Sequence, residues 1–203
     1  MKFPRLTKQK YDDIRSEIKN GDILIASGDY SISKLIQKAT DSCWSHVAIV
    51  MRLDGLDRVM VLESIEDRGV RTLPLSEYIK NFEGTNRGYK GRLAIARHNE
   101  FEEMAKDVEK LKSMGQFAID RFGRPYDKEE IARITIRIVG KFIGIKRGDM
   151  RRDEEYICSE YVYECFKCMG INVPYDKLGF IAPSHFASDE NIELLWELEV
   201  NKG

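Results

Sequence analysis

The chain has 203 residues, and its 33 lysines and arginines nearly balance 34 aspartates and glutamates, for a formal net charge of −1. That length suits one domain with an ample hydrophobic core. Without a basic excess the composition argues against nucleic acid as a partner, and no apolar run approaches the ~20 residues of a membrane-spanning helix.

The N-terminus, Met1 to Lys8, runs into polar sequence with no apolar signal region, which favours a cytoplasmic location. Tyr11, Ile14 and Ile18 are spaced for one face of a helix that Asn20-Gly21 ends, so residues 1–20 read as a helical extension of a single domain spanning 1–203. Asp22 to Ala26 reads as a buried strand. Ser31 or Ser33 is placed to cap a helix carrying Ile32, Leu35, Ile36 and Ala39. His46 to Met51 and Arg58 to Ser64 are the next strands, joined by the turn signal Asp54-Gly55.

Val70 to Leu73 and Arg92 to Ala96 read as further short strands. Asn99 with Glu102 resembles a capping box opening one helix that buries Phe101, Met104, Ala105, Val108 and Leu111. Gly123-Arg124-Pro125-Tyr126-Asp127 is a loop, Ile131 to Ile145 has a helical period, and Gly148 to Glu155 is a charged loop. A final helix carries Val162, Cys165, Phe166 and Met169 up to Gly170. Strands in the first half with helices at both ends imply an α+β domain built on a mainly antiparallel sheet.

Four cysteines, Cys43, Cys158, Cys165 and Cys168, are too few for a disulfide scaffold and suit a reducing compartment. Cys165 and Cys168 form a C-x-x-C pair without a second ligand cluster, so they read as buried thiols and no metal is expected. Cys158 sits where a charged loop gives way to a helix. Unpaired N–H groups and the helix dipole favour a thiolate there, and the same N–H groups, Ser159's included, are a ready oxyanion hole. The alternative reading of Cys158 is a buried structural thiol.

The chain holds three histidines to serve as base. His46 enters an apolar strand, which would hold its ring at a sheet edge; a structural or surface histidine is the alternative. His98 reads as a surface loop residue, and His185 is the runner-up base. Glu63 ends an apolar strand where a carboxylate is out of place, and it can orient His46. Period-two alternation gives a definite register: with Val50 opposite Val59, His46 falls opposite Glu63. Otherwise Glu63 marks a solvated strand end.

Three segments together resemble the permuted members of the NlpC/P60 superfamily, the YiiX-like or YaeF-like papain-fold amidases. They are Gly21-Asp22-Ile23-Leu24-Ile25 with Ser33-Lys34-Leu35-Ile36 and Trp44-Ser45-His46-Val47; Val61-Leu62-Glu63-Ser64 leading to Gly69-Val70; and Tyr156-Ile157-Cys158-Ser159-Glu160-Tyr161. His46 precedes Cys158, the order expected of the permuted branch; such constellations are recognised by geometry, not chain order. The resemblance implies a circularly permuted papain-like fold, with Cys158 as nucleophile, His46 as base and Glu63 as orienting acid. It also implies that Tyr126, in Gly123-Arg124-Pro125-Tyr126, lies near the oxyanion site. The family's late Pro-x-Asp motif reads Pro183-Ser184-His185 here, a departure from the pattern.

The expected chemistry is acyl transfer through Cys158 without a metal or organic cofactor, on amides of small peptides such as cell-wall stem peptides. A lipid hydrolase or acyltransferase of the lecithin–retinol-acyltransferase-like type is the second reading. It draws on Arg133, Arg137 and Lys141 opposite an apolar stripe in 131–145, a pattern suited to a membrane surface or simply to core packing. A third reading is a non-catalytic binding module on the same fold.

Overall fold

The computed structural model describes residues 2–126, 157–175 and 181–203. The helical pattern at 131–145 and the charged loop at 148–155 lie outside those residues. Seven strands, β1 (Lys8–Gln9), β2 (Ile23–Gly28), β3 (His46–Leu53), β4 (Arg58–Ile65), β5 (Gly69–Pro74), β6 (Gly91–His98) and β7 (Ile192–Leu198), form one sheet in the order β1-β7-β6-β2-β3-β4-β5. Only β1 and β7 pair in parallel; every other neighbour is antiparallel. The described helices are α1 (Tyr11–Ile14), α2 (Ser31–Thr40), α3 (Leu75–Lys80), α4 (Phe101–Met104), α5 (Val108–Ile119), α6 (Cys158–Cys168) and α7 (Pro183–Ser188). This is the α+β, mainly antiparallel architecture expected.

The central strands read as unbroken apolar runs because the sheet is covered on both faces. Ile23, Ile25, Val47, Ile49, Leu62, Ala94 and Ala96 face one core, which α6 closes with Tyr161, Val162, Cys165 and Phe166. Leu24, Ala26, Ala48, Val50, Val59, Val61, Leu93 and Ile95 face the other, closed by Tyr11, Ile14, Ile18 and by Leu75 and Tyr78 of α3. Each large α6 side chain buried this way contributes roughly 1.5–3 kcal/mol. That packing fixes the helix, and so its N-terminus, on β3 and β4.

Several expectations change. The N-terminal segment is part of the fold, not an extension. Lys8 and Gln9 pair with Glu197 and Leu198, helix is confined to Tyr11–Ile14, and Ile18 is buried in the second core. The helix expected from Phe101 through Leu111 is two helices. Asp107 accepts the N–H groups of Glu109 (3.1 Å) and Lys110 (3.3 Å), which opens a new helix and resets the period, leaving Val108 70% exposed. Ser31 and Ser33 lie inside α2, whose N-cap is Tyr30. The C-terminal strand β7 has no clear alternation in sequence, because a bulge between Ile95 and Ala96 sets Trp196 and then Leu194 opposite them.

The Gly21-Asp22 pair has a physical reason. Gly21 has φ +80°, and a Cβ there would strike the Phe101 ring at about 2.1 Å. Asp22 is fully buried, with Arg97 Nε on Oδ1 (2.6 Å) and both Arg97 Nη2 and the Lys19 N–H on Oδ2 (2.8 Å each). Burial pushes the Asp22 carboxyl pKa up despite these donors. Arg97→Met leaves that buried group short of its cation. We expect urea denaturation to show a loss of about 2–3 kcal/mol, largely recovered when Asp22→Asn is added.

Candidate active site

The β3–β4 connection decides where His46 and Glu63 meet. A two-residue turn at Asp54-Gly55 would set Val50 opposite Val59. Instead Asp54–Leu56 forms a 3₁₀ turn, Asp57 follows with φ +47°, and Leu53 pairs with Arg58. The ladder therefore sets Val50 opposite Val61, two residues from the expected register. A shift of two preserves parity, so His46 and Glu63 stay on one face as diagonal neighbours, within reach of long side chains. His46 Nε2 lies 2.6 Å from Glu63 Oε2. A carboxylate only accepts, so the ring donates from Nε2, which leaves Nδ1 for another partner.

His46 is held by what precedes it. The buried Ser45 hydroxyl accepts the Gly28 N–H (2.9 Å) and donates to the Ala26 carbonyl (3.3 Å), while the Ser45 N–H donates to the same carbonyl (2.8 Å). These bonds tie the start of β3 to the end of β2. Cys158, the first residue of α6 and 3% exposed, lines the same cavity as the His46 ring. Burial alone would discharge the ring. The Cys158 sulfur and the Glu63 carboxylate outweigh that cost, and the His46 pKa is pushed up to about 10.

Glu63 is fully buried and far from a solvated strand end. Besides His46 it takes Arg71 Nε on Oε1 (2.8 Å) and the Tyr78 hydroxyl on Oε2. Desolvation opposes its charge, but His46, Arg71 and Tyr78 reverse the sign and hold its pKa below the ordinary value.

Cys158 and His46 line a cavity of about 180 Å³, measured over the described residues, together with Tyr126 and an aromatic wall of Tyr30, Tyr78, Phe82 and Tyr89. Tyr126 reaches it because its loop is pinned to β5: the Val70 N–H donates to the Arg124 carbonyl and the Gly123 N–H to the Val70 carbonyl (2.9 Å each). Gly69, with φ +65°, permits the contact, since a Cβ there would lie 1.9 Å from the Arg124 carbonyl oxygen.

Ile157, at the N-cap of α6, has no side-chain acceptor, so no side chain of the N-cap residue occupies the first-turn N–H groups. Ser159 does not line the cavity. Its hydroxyl, fully buried, donates to the Ile181 carbonyl (2.7 Å) and ties α6 to the start of α7.

The other histidines serve structure. His98 is not a surface residue. It ends β6 at 2% exposure, its ring edge-on to Phe166 and its Nδ1 accepting the Glu100 N–H (3.2 Å), and burial pushes its pKa down. The Phe166 contact comes from α6, far away in sequence. His185 Nδ1 accepts the Ala182 N–H (2.9 Å) at the start of α7, and the ring does not line the cavity. Sequence reasoning misses Arg71 and Tyr78 as parts of the site. The Glu63–Arg71 pairing across β4 and β5 is the signal that could have found the first; α3 brings in the second by tertiary packing.

A two-faced, mainly antiparallel sheet with a helix-start cysteine beside a strand-borne histidine defines the class of papain-like proteins. Residues 17–199 match the family described as "Permuted papain-like amidase enzyme, YaeF/YiiX, C92 family", and the chain belongs to that family. At family level it is therefore a cysteine hydrolase of the amidase type. Among solved structures it is similar to the "metalloprotein yiiX from Escherichia coli O157:H7", with 20% identity and a TM-score of 0.60, over 87% of this chain and 96% of that one. The metal in that description belongs to the E. coli protein; among the described residues here, no group of three or more His, Cys, Asp and Glu is placed to hold a metal ion. No curated protein matches the chain.

The shifts of His46 and Glu63 act on stability with opposite signs. The folded pKa of His46 lies above its ordinary 6.5, so its contribution is full below pH 6.5 and is lost as pH rises through about 10. The folded pKa of Glu63 lies below 4.5, so its contribution is present above pH 4.5 and is lost as pH falls through the folded value. Urea denaturation across pH 6.5–10 should show a decline in wild-type stability that is much flatter in His46→Gln.

Proposed function

We propose that this protein hydrolyses amide bonds of small peptides through an acyl-enzyme on Cys158, with His46 as acid and base and Glu63 orienting the ring. The observation that carries the reading is the buried Glu63 carboxylate 2.6 Å from the His46 ring, with His46 and Cys158 lining one cavity. His46 takes the thiol proton, and the sulfur attacks the amide carbonyl. N–H groups at the start of α6, Ser159's among them, with Tyr126 alongside, receive the oxyanion, and His46 protonates the departing amine.

The raised pKa of His46 suits this sequence. Part of the rise comes from the charge on Cys158, and that charge disappears once the sulfur is acylated. The ring then returns toward neutrality, where it can take a proton from the water that releases the acyl group.

The aromatic wall of Tyr30, Tyr78, Phe82 and Tyr89 gives the acyl group an apolar surface to lie against. The family's amidase character supports amides of small peptides, stem peptides of the cell wall included, as the substrates proposed. The test is a panel of peptide amides assayed with the reduced protein. Cleavage should vanish in Cys158→Ala and His46→Ala, and Glu63→Gln should lower kcat by about 10²-fold or more. Cleavage that survives Cys158→Ala would overturn the reading, as would a panel on which wild type and Cys158→Ala are equally inert.

A further inference from the structure

Glu63 is the hub of the site, and its own neighbours decide whether it can act. It is fully buried, and an ionised carboxylate in that position survives only while donors replace lost water. Three donors converge on it from three elements: His46 of β3, Arg71 of β5 and Tyr78 of α3. Beyond them stand Cys158 of α6, on the same cavity as His46, and Glu83, whose Oε1 lies 3.7 Å from Arg71 Nη2 at the cavity wall; among the described residues Tyr30, Glu66, Asp67, Tyr89 and Tyr126 are the other titratable groups on that cavity.

The division of the two oxygens is informative. Arg71 spends only Nε on Glu63, at Oε1, and its Nη2 is buried without a hydrogen-bond partner. A guanidinium beside a carboxylate ordinarily closes a two-pronged fork on both oxygens. Here the second oxygen is held by the Tyr78 hydroxyl and turned toward the histidine. Without that hydroxyl the carboxylate is free to rotate into the Arg71 fork and away from the ring. The phenol stays a neutral donor throughout the working range, since burial and the Glu63 charge push its pKa up.

We propose that Arg71 and Tyr78 are positioning residues: Arg71 keeps Glu63 ionised, Tyr78 keeps Oε2 turned to His46, and together they set the ring against the Cys158 thiol. The proposal rests on the Cys158–His46 reading above. It separates two jobs, charge from Arg71 and orientation from Tyr78, that a single hydrogen bond to the histidine cannot perform.

The test needs no substrate. The rate of Cys158 alkylation by iodoacetamide is followed by mass spectrometry from pH 4 to 10 in wild type, His46→Ala, Tyr78→Phe, Arg71→Met and Arg71→Lys, with thermal melts alongside. Tyr78→Phe keeps the ring and its packing. It should slow alkylation at pH 6 by about tenfold and move the acid limb of the profile upward. Arg71→Met should slow it at least as much, and Arg71→Lys should recover part of the loss by restoring the charge. If the wild-type profile lacks a phase that His46→Ala removes, the underlying reading fails. If that phase is present but unchanged in Tyr78→Phe and Arg71→Met, the positioning proposal is overturned and the reading stands. Should Arg71→Met not fold, the Tyr78→Phe profile decides; a lowered melting temperature with an unshifted profile counts against the proposal.

Discussion

One buried carboxylate constrains the rest of the site. Glu63 sits in a sheet covered on both faces, where an unpaired negative charge would cost several kcal/mol. Its charge is retained because β3, β5 and α3 each deliver one donor to it. This makes strand register a chemical matter as well as a packing one. A slip of one residue along β4 would turn Glu63 into the core beneath α6, where Leu62 packs now, and would leave His46 without a partner.

The thiol is placed by an independent device. α6 is anchored through an almost wholly apolar face, so the position of Cys158 follows from the packing of Tyr161, Val162, Cys165 and Phe166. Gly170, with φ +81°, ends the helix and the Ile171 N–H returns to the Phe166 carbonyl (3.0 Å). At the other end Ile157 stands where a serine or aspartate would ordinarily cap the helix. The Glu160 side chain instead bonds back to the Ile157 N–H (3.3 Å). The same helix thus presents Cys158 together with first-turn N–H groups that the Ile157 side chain does not occupy.

Much of this is legible in the residues. The apolar runs of β2, β3 and β4 mark buried strands, and parity puts His46 and Glu63 on one face even though the Asp54-Gly55 turn signal implies a register two residues away. What cannot be read depends on contacts distant in sequence. His98 looks polar and exposed among Arg97, Asn99 and Glu100 until Phe166 arrives from α6 to bury it. The period of β7 is broken by a bulge that involves β6, and the helix after Phe101 restarts because Asp107 finds two backbone donors. Tyr78 reads as an ordinary core aromatic, since nothing local shows that its hydroxyl ends on Glu63.

The central claim is that His46, having taken the Cys158 proton, is held charged between a buried carboxylate and the Cys158 sulfur. ¹⁵N NMR of the histidine rings, followed from pH 5 to 11, tests it most directly. The account requires His46 to carry protons on both ring nitrogens at pH 8 and to titrate near 10, falling toward the ordinary range in Glu63→Gln. A wild-type His46 that is neutral at pH 8 and titrates near 6.5 would contradict it.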